Sequence, residues 1–349
     1  MKTTRFPLIQ VSGTPYEMGV QHGKQGKARI DRFLDLLLSG RNRAEVLSRT
    51  DAFAALFQKY VPDLVAEIRG LAEGAQISFQ EALLLQIRGE INGGQSDGAC
   101  TAFVIGPRLT AAGEILIGQN SDMTQVMEEI GIVLHVIPND GPRILMWTFG
   151  GHLGYHGMNS AGVAHFANAL GGGPGWRLAL PHYPVKREML RQSTVAECLN
   201  VLDRIPVCSS GNYVLTGGCG TIIDVELTPE GYATLDDAGE GLIVHTNHFL
   251  SPGLATADTD EKSLKDSFPR LHRFRQLVQE HAGQITVELL QQLLGDHDNH
   301  PTSVCRHGRD GETSKTVASL VSEPASGKFH VGYGNPCQRQ FQTYNINDA

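Results

Sequence analysis

No stretch of this chain approaches the ~20 consecutive apolar residues that a membrane helix needs. The opening MKTTRFPLIQVSGTPYEMG also lacks the apolar run, about 7–15 residues long, of a secretory signal. The expectation is a cytoplasmic protein that makes no use of a membrane. No basic cluster stands out against a net charge of −8, so nothing attracts a phosphate backbone and nucleic acid is not an expected partner. No CxxC pair occurs among Cys100, Cys198, Cys208, Cys219, Cys305 and Cys337, which argues against a zinc ribbon or a redox dithiol. These are read as mostly buried free thiols. Internal repeats, heptads and low-complexity tails are absent too.

What is present is enough apolar residue for a core. The hydrophobic fraction is 41% and the charged fraction 19%, an ordinary globular balance. A chain of 349 residues buries a substantial core without staples. Its 40 glycines point to tight turns and short strands.

Thr14-Pro15-Tyr16-Glu17 places a hydroxyl cap, a proline at the first helical position and a glutamate at the third. Ile30, Phe33, Leu34 and Leu37 follow at helical spacing. Pro62 signals a second start, and Ser78-Phe79-Gln80-Glu81 is another capping box. The first ninety or so residues are therefore expected to be helical. The polar, glycine-rich run 92–99 is a connector, and Cys100–Ile105 is a short β-prone run straight after it. Further strands are expected at 114–118, 131–137, 143–148, 162–166, 213–216, 221–227, 241–246, 316–321 and 329–333. Helices are expected near 184–203, 268–281 and 286–294. Helices first, then paired strands with a few helices between, is the order of an α+β layered domain.

Cys100 stands at the mouth of a strand, behind a glycine-rich linker. Gly118-Gln119-Asn120-Ser121-Asp122 and His245-Thr246-Asn247-His248 crowd polar groups onto two other strand ends. Such groups are costly in a core unless paired, so they mark a site. The histidine pairs His152/His156, His245/His248 and His297/His300 have ligand-like spacing. None forms HExxH and Pro301 follows His300, so no metal is expected. Gly171-Gly172-Gly173-Pro174-Gly175 lacks the Lys-Ser/Thr of a phosphate loop. It reads as a loop beside a substrate entrance with Trp176, and no cofactor is expected.

An ordered set of motifs resembles one family, the acyl-coenzyme A:6-aminopenicillanic-acid acyltransferases within the N-terminal-nucleophile hydrolases. The set begins with Gly13-Thr14-Pro15-Tyr16-Glu17-Met18-Gly19 and Gln21-His22-Gly23. It runs through Cys100-Thr101, Gly118–Asp122, Met158-Asn159-Ser160-Ala161-Gly162 and Asn247-His248-Phe249. It closes with Asp266-Ser267 before Arg270, Val304-Cys305-Arg306-His307 and Gly332-Tyr333-Gly334-Asn335-Pro336-Cys337. The resemblance implies a four-layer αββα sandwich and a precursor cut between Ala99 and Cys100. It implies a heterodimer of a helical α piece (1–99) and a β piece (100–349) that carries most strands, together one compact domain. As shares of 37.8 kDa these are roughly 11 and 27 kDa. The functional residues it implies are Cys100, Asp122, Asn247 and Arg306. The penicillin-biosynthetic members have glycine where this chain has Ala99, and a bulky aromatic where it has Ser121.

The chemistry that such a set supports is specific. A free thiol with a pKa of about 8.5 is mostly protonated at neutral pH. Freeing the Cys100 nitrogen supplies a base whose reference pKa, about 7.7–8.0, lies close to working pH. Cys100 then attacks an acyl amide or a thioester, acyl-coenzyme A included, to form an acyl-enzyme. Asp122 orients the amine, Asn247 donates to the oxyanion, and Arg306 holds Asp122 or the substrate. Water or an amine resolves the acyl-enzyme. Two other readings stay open at this point. One is an uncut cysteine hydrolase with His245 or His248 as base, and the other a non-catalytic binder of acylated small molecules.

Overall fold

The computed structural model describes residues 5–92, 98–171, 175–254, 261–308, 314–338 and 340–348. Its opening element corrects the expectation of a wholly helical start, for β1 (Leu8–Gly13) is a strand. Local pattern could not reveal it. Its partner lies more than a hundred residues on, in β4, and the pairing is parallel: Ile9 faces Leu134 and Val11 faces Val136. The expected capping box then closes at the head of α1 (Pro15–Leu38). The Thr14 hydroxyl accepts from the Glu17 amide, and the Glu17 carboxylate accepts from the Thr14 amide. After α2 (Arg43–Ser48) and α3 (Thr50–Tyr60), α4 (Pro62–Ala75) begins on its proline. Ser78 and Glu81 cap α5 (Phe79–Ile87) reciprocally.

Helices α1 and α4 cross with their backbones in contact. A Cβ added at Gly19 would collide with the Glu67 carbonyl oxygen, one at Gly70 with that of Tyr16, and one at Gly74 with that of Val20. No side-chain rotation relieves a clash with backbone, so the helices must part. Gly70→Ala is expected to destabilise by about 1–3 kcal/mol, read from denaturant melts of the uncut chain. Gly253→Ala, where the added methyl meets open space, should leave the midpoint unchanged.

The remaining strands are β2 (Ala99–Ile105), β3 (Leu116–Thr124), β4 (Gly131–Pro138), β5 (Ile144–Phe149), β6 (His156–Asn159), β7 (Ala164–Ala169), β8 (Gly211–Thr216), β9 (Ile222–Thr228), β10 (Gly231–Leu235), β11 (Leu242–His245), β12 (Ser314–Glu323), β13 (Lys328–Tyr333) and β14 (Phe341–Asn345). Between them lie α6 (Met127–Ile130), α7 (His182–Leu190), α8 (Val195–Arg204), α9 (Glu261–Glu280) and α10 (Val287–Leu293). One sheet has the order β1-β4-β5-β6-β7-β8-β9-β10 and the other β11-β2-β3-β12-β13-β14.

Alternation along the strands sorts the core into layers. Ile132, Leu134, Ile144 and Met146 point outward from the eight-stranded sheet, onto Met18 of α1 and Leu190 of α7. Val133, Leu145 and Trp147 point inward, into one cluster with Ala102, Val104, Ile117 and Leu320 of the six-stranded sheet. Phe103, Ile105 and Val244 cover the far face of that sheet and pack on Phe274 and Val278 of α9. The order is helix, sheet, sheet, helix: a four-layer αββα sandwich. No helix among the described residues is long and apolar enough to cross a membrane.

Candidate active site

Four chain segments meet at one end of the six-stranded sheet because its neighbours run antiparallel. Strand β2 starts there and β3 ends there, so Ala99 pairs with Asp122 and Cys100 with Ser121. Strand β11 flanks β2 and delivers Asn247 two residues past its end. Strand β12 flanks β3, with Thr316 opposite Asp122. The early turns of α9 close over this end with Asp266, Ser267 and Arg270.

The backbone nitrogen of Cys100 donates to Asn247 Oδ1 over 2.9 Å. Arg270 Nη2 donates to the same oxygen, also over 2.9 Å. Asn247 Nδ2 donates to the Ala169 carbonyl at 3.0 Å and reaches the Gly98 carbonyl at 3.4 Å. Its own amide is pinned to Ser267 Oγ at 2.7 Å. So the oxygen of Asn247 grips the Cys100 nitrogen, while its N–H groups point at the carbonyl of Gly98, just before Ala99, and at that of Ala169, which ends β7. Arg270, only 2% exposed, also donates to the Cys100 carbonyl at 2.6 Å and to Asp266 Oδ1 at 2.8 Å. The other Asp266 oxygen accepts from Arg306.

Asp122 is fully buried. Thr316 Oγ1 donates to its Oδ1 at 2.7 Å and accepts from the Arg306 amide at 2.9 Å. Oδ2 of Asp122 is buried with no hydrogen-bond partner among the described residues. Cys100, Asp122 and Asn247 thus converge directly. Arg306 joins them through Thr316 and Asp266, and its charge helps lower the Asp122 pKa. Arg270 and Thr316 carry no expected role in the sequence reading. The signal for Arg270 lies in its four-residue spacing from Asp266, which sets both on one helix face. Thr316 is recognisable only from its register against Asp122.

Burial pushes the Cys100 thiol up to about 11, and the Asp122 charge adds to this; hydrogen bonds from the Asp122 backbone and Gln119, with the Arg270 charge, offset part of it. Burial likewise lifts Asp122 to about 7 against the pull of Arg270, Arg306 and Thr316. The thiol is therefore protonated at neutral pH, and Asp122 is far more readily protonated than an exposed carboxyl. Both candidate histidines are engaged elsewhere. His245 bonds Glu226 at 2.9 Å and the Thr246 carbonyl at 2.8 Å. His248 bonds Ser267 Oγ at 2.7 Å. Burial alone would depress the His245 ring, but Asp224 and Glu226 outweigh it and raise its pKa.

Cys100 opens on a cavity of about 360 Å³. Phe33, Leu37, Met123 and Met127 are among its apolar lining residues, and Arg88, Glu90 and Lys186 are its charged ones. Lys186 Nζ lies 4.5 Å over the Tyr155 ring, and burial brings its pKa down to about 7. Gly172–Pro174 of the expected entrance loop, and 93–97 of the connector, lie outside the described residues. Trp176 is exposed and does not line this cavity.

The family described as acyl-coenzyme A:6-aminopenicillanic acid acyl-transferase matches residues 109–338. The 40 kDa form of acyl-coenzyme A:6-aminopenicillanic-acid-acyltransferase from Emericella nidulans is 28% identical over 339 residues, covering 94% of this chain and 92% of that protein. An uncharacterized protein of Archaeoglobus fulgidus is 23% identical over 359 residues, covering 87% of this chain and 59% of its own length. Among solved structures, a variant of the conjugated bile acid hydrolase from Clostridium perfringens is 14% identical. It has a TM-score of 0.48 and covers 71% of this chain and 97% of its own. Penicillin V acylase from Agrobacterium tumefaciens is 12% identical, with a TM-score of 0.42 and coverage of 67% and 83%.

Proposed function

The chain belongs to the acyl-coenzyme A:6-aminopenicillanic acid acyl-transferase family, and from that premise we propose that it is a self-cleaving cysteine amidohydrolase or acyltransferase working through an acyl-Cys100 intermediate. The observation that carries this reading is the environment of the Cys100 nitrogen. It is held by Asn247 Oδ1, on the strand paired with the one that carries Asp122 and its unpartnered oxygen.

Maturation starts when Cys100 Sγ attacks the Ala99 carbonyl carbon. The C–N bond breaks, the nitrogen takes the proton given up by the thiol, and water hydrolyses the resulting thioester. The products are an α piece (1–99) ending in a carboxylate and a β piece (100–349) beginning with a free amine. Asp122 Oδ2, short of a partner, then accepts a hydrogen bond from that amine. During turnover the amine takes the thiol proton, the thiolate attacks the substrate carbonyl, and Asn247 Nδ2 donates to the oxyanion. The departing amine leaves with the proton. Water or a second amine releases the acyl group. The apolar part of the cavity lining suits the body of an acyl group, and Arg88 adds a positive charge to the same cavity. Fold does not fix substrate, so the acyl and amine portions are assigned by class only.

The reading is tested by the pH dependence of self-cleavage in freshly made precursor. In the first step ionised Asp122 takes the thiol proton and passes it to the departing nitrogen, so a protonated Asp122 cannot assist. The rate should therefore rise about tenfold per pH unit below 7 and level off above it. Asp122→Asn should be about 10²–10⁴-fold slower and lose the inflection. Stability moves the opposite way. Between pH 3.8 and about 7 the folded chain keeps a proton on Asp122 that the unfolded chain releases, so this contribution fades as pH rises. A mutant with wild-type cleavage kinetics would exclude Asp122 from the mechanism.

A further inference from the structure

Far along the chain, three segments bring two thiols and two imidazoles to one point. His297 follows α10, Cys305 and His307 lie on the run that leads to β12, and Cys337 sits in the short 3-10 turn Pro336–Gln338 after β13. All four candidate ligand atoms lie within 4.8 Å of one another. The separations are 3.1 Å for His297 Nε2 to His307 Nε2 and 3.6 Å for Cys305 Sγ to Cys337 Sγ. From His307 Nε2 the two sulfurs lie at 3.6 and 3.5 Å.

These distances can be compared with what an ion would require. With Zn–S near 2.3 Å and Zn–N near 2.0–2.1 Å, tetrahedral angles set edges of about 3.8 Å for S–S, about 3.6 Å for S–N and about 3.3 Å for N–N. These four of the six edges fall within about 0.2 Å of their counterparts, and the two from His297 to the sulfurs lie within 4.8 Å. The sulfurs are too far apart for a disulfide, whose S–S length is about 2.05 Å. An S₂N₂ set in tetrahedral array selects a borderline-soft ion. Support from a second layer is present as well. Asn335 Nδ2 donates to Cys305 Sγ at 3.5 Å and to the Arg306 carbonyl at 2.7 Å, the kind of bond that orients a thiolate ligand.

We propose that His297, Cys305, His307 and Cys337 bind one zinc ion as a closed, structural site. Four protein ligands leave no open position for substrate or water, which separates such a site from a catalytic one. Its place in the fold gives it a task. Arg306 lies between two of the ligands in sequence. Its amide holds Thr316 Oγ1, and its carbonyl accepts from the Thr316 amide at 3.0 Å. The ion would fasten the 296–308 run to the turn after β13 and so fix the strand end that supports Asp122. Histidine spacings taken two at a time miss this set, because its members come from three segments.

The test is elemental analysis of the untagged full chain, expressed with zinc and purified without chelator. It is repeated on the Cys100→Ala background so that neither cleavage nor the Cys100 thiol enters the result. The expected content is about one zinc per chain. Cys305→Ser and Cys337→Ser should fall to background, while Cys219→Ser, at an exposed cysteine outside the cluster, keeps the metal. His297 is exposed, and its replacement by alanine leaves the core intact. On stripped protein, His297→Ala should weaken cobalt binding by about tenfold or more. Wild-type cobalt protein should show the visible bands of a tetrahedral thiolate complex. Metal-free wild type that takes up neither zinc nor cobalt overturns the proposal. So does a Cys305–Cys337 disulfide in the intact mass.

Discussion

Under denaturing conditions the wild-type protein is expected to separate into fragments of roughly 11 and 27 kDa, the larger beginning at Cys100, while Cys100→Ala remains one chain of 37.8 kDa. The reason lies in the thiol. Burial and Asp122 hold it protonated in the uncut state, so the intact protein carries a nucleophile that is not activated. Cleavage would convert an amide nitrogen into an amine with a reference pKa of about 7.7–8.0, placed against that thiol without any rearrangement of β2. Intact-mass analysis of both proteins reads the result directly. Cys100→Ser should cleave more slowly, since a hydroxyl is the weaker nucleophile, and Ala99→Gly should cleave at least as fast, since a Cβ narrows the backbone conformations open to the shift. A single intact wild-type chain with amidase activity would remove the terminal-amine base from consideration. Wild type and mutant cut alike would mean that another protease does the cutting.

Arg270→Leu should have the largest effect of any change outside the nucleophile. The guanidinium is buried and serves the Cys100 carbonyl, Asn247 Oδ1, Thr101 Oγ1 and Asp266 together. Removing it takes one of two arginine partners from the half-buried Asp266 carboxylate and leaves three oxygens short of a donor. Leaving those acceptors unsatisfied costs about 1–3 kcal/mol, to be measured by denaturant melts on the Cys100→Ala background. The same loss frees Asn247 to turn, so self-cleavage should fail in the otherwise wild-type chain. Arg270→Lys separates the two effects. One ammonium keeps the charge but cannot span four acceptors, so stability should recover in part while cleavage stays impaired. An Arg270→Leu chain that matures at the wild-type rate would reduce this residue to a structural brace.

Much of the fold is written in local sequence. The strands around 131–137, 221–227 and 329–333 appear within a residue or so of their expected bounds, because apolar runs bounded by turn residues define them without outside help. Helix starts at Thr14 and Ser78 rest on capping boxes confined to four residues, and the start at Pro62 on a proline whose fixed φ suits the first helical position. The single helix expected over 184–203 is in fact two, α7 and α8, broken where Thr194 and Glu197 form a capping box; that signal was available. Strands β1, β6, β10 and β14 escaped because short runs acquire their identity from a partner strand. Within the site, Cys100 is conspicuous by its position behind the glycine-rich connector. Arg270 is not, since an arginine on an amphipathic helix normally faces water, and only the packing of α9 over the strand ends turns this one inward.

Strand β1 belongs to residues 1–99, yet its sheet partner β4 belongs to 100–349, and Met18 of α1 shares a buried cluster with Ile132 and Leu134. A cut at Cys100 therefore changes the molecularity of folding. The precursor finds its structure as one molecule, at a rate indifferent to concentration. A chain cut there, once unfolded, would be two molecules that must meet again, and β4 would wait with an unpaired edge until they do. Heating and cooling a dilute matured sample should thus show a history that the Cys100→Ala chain does not: reversible before the cut, one-way after it.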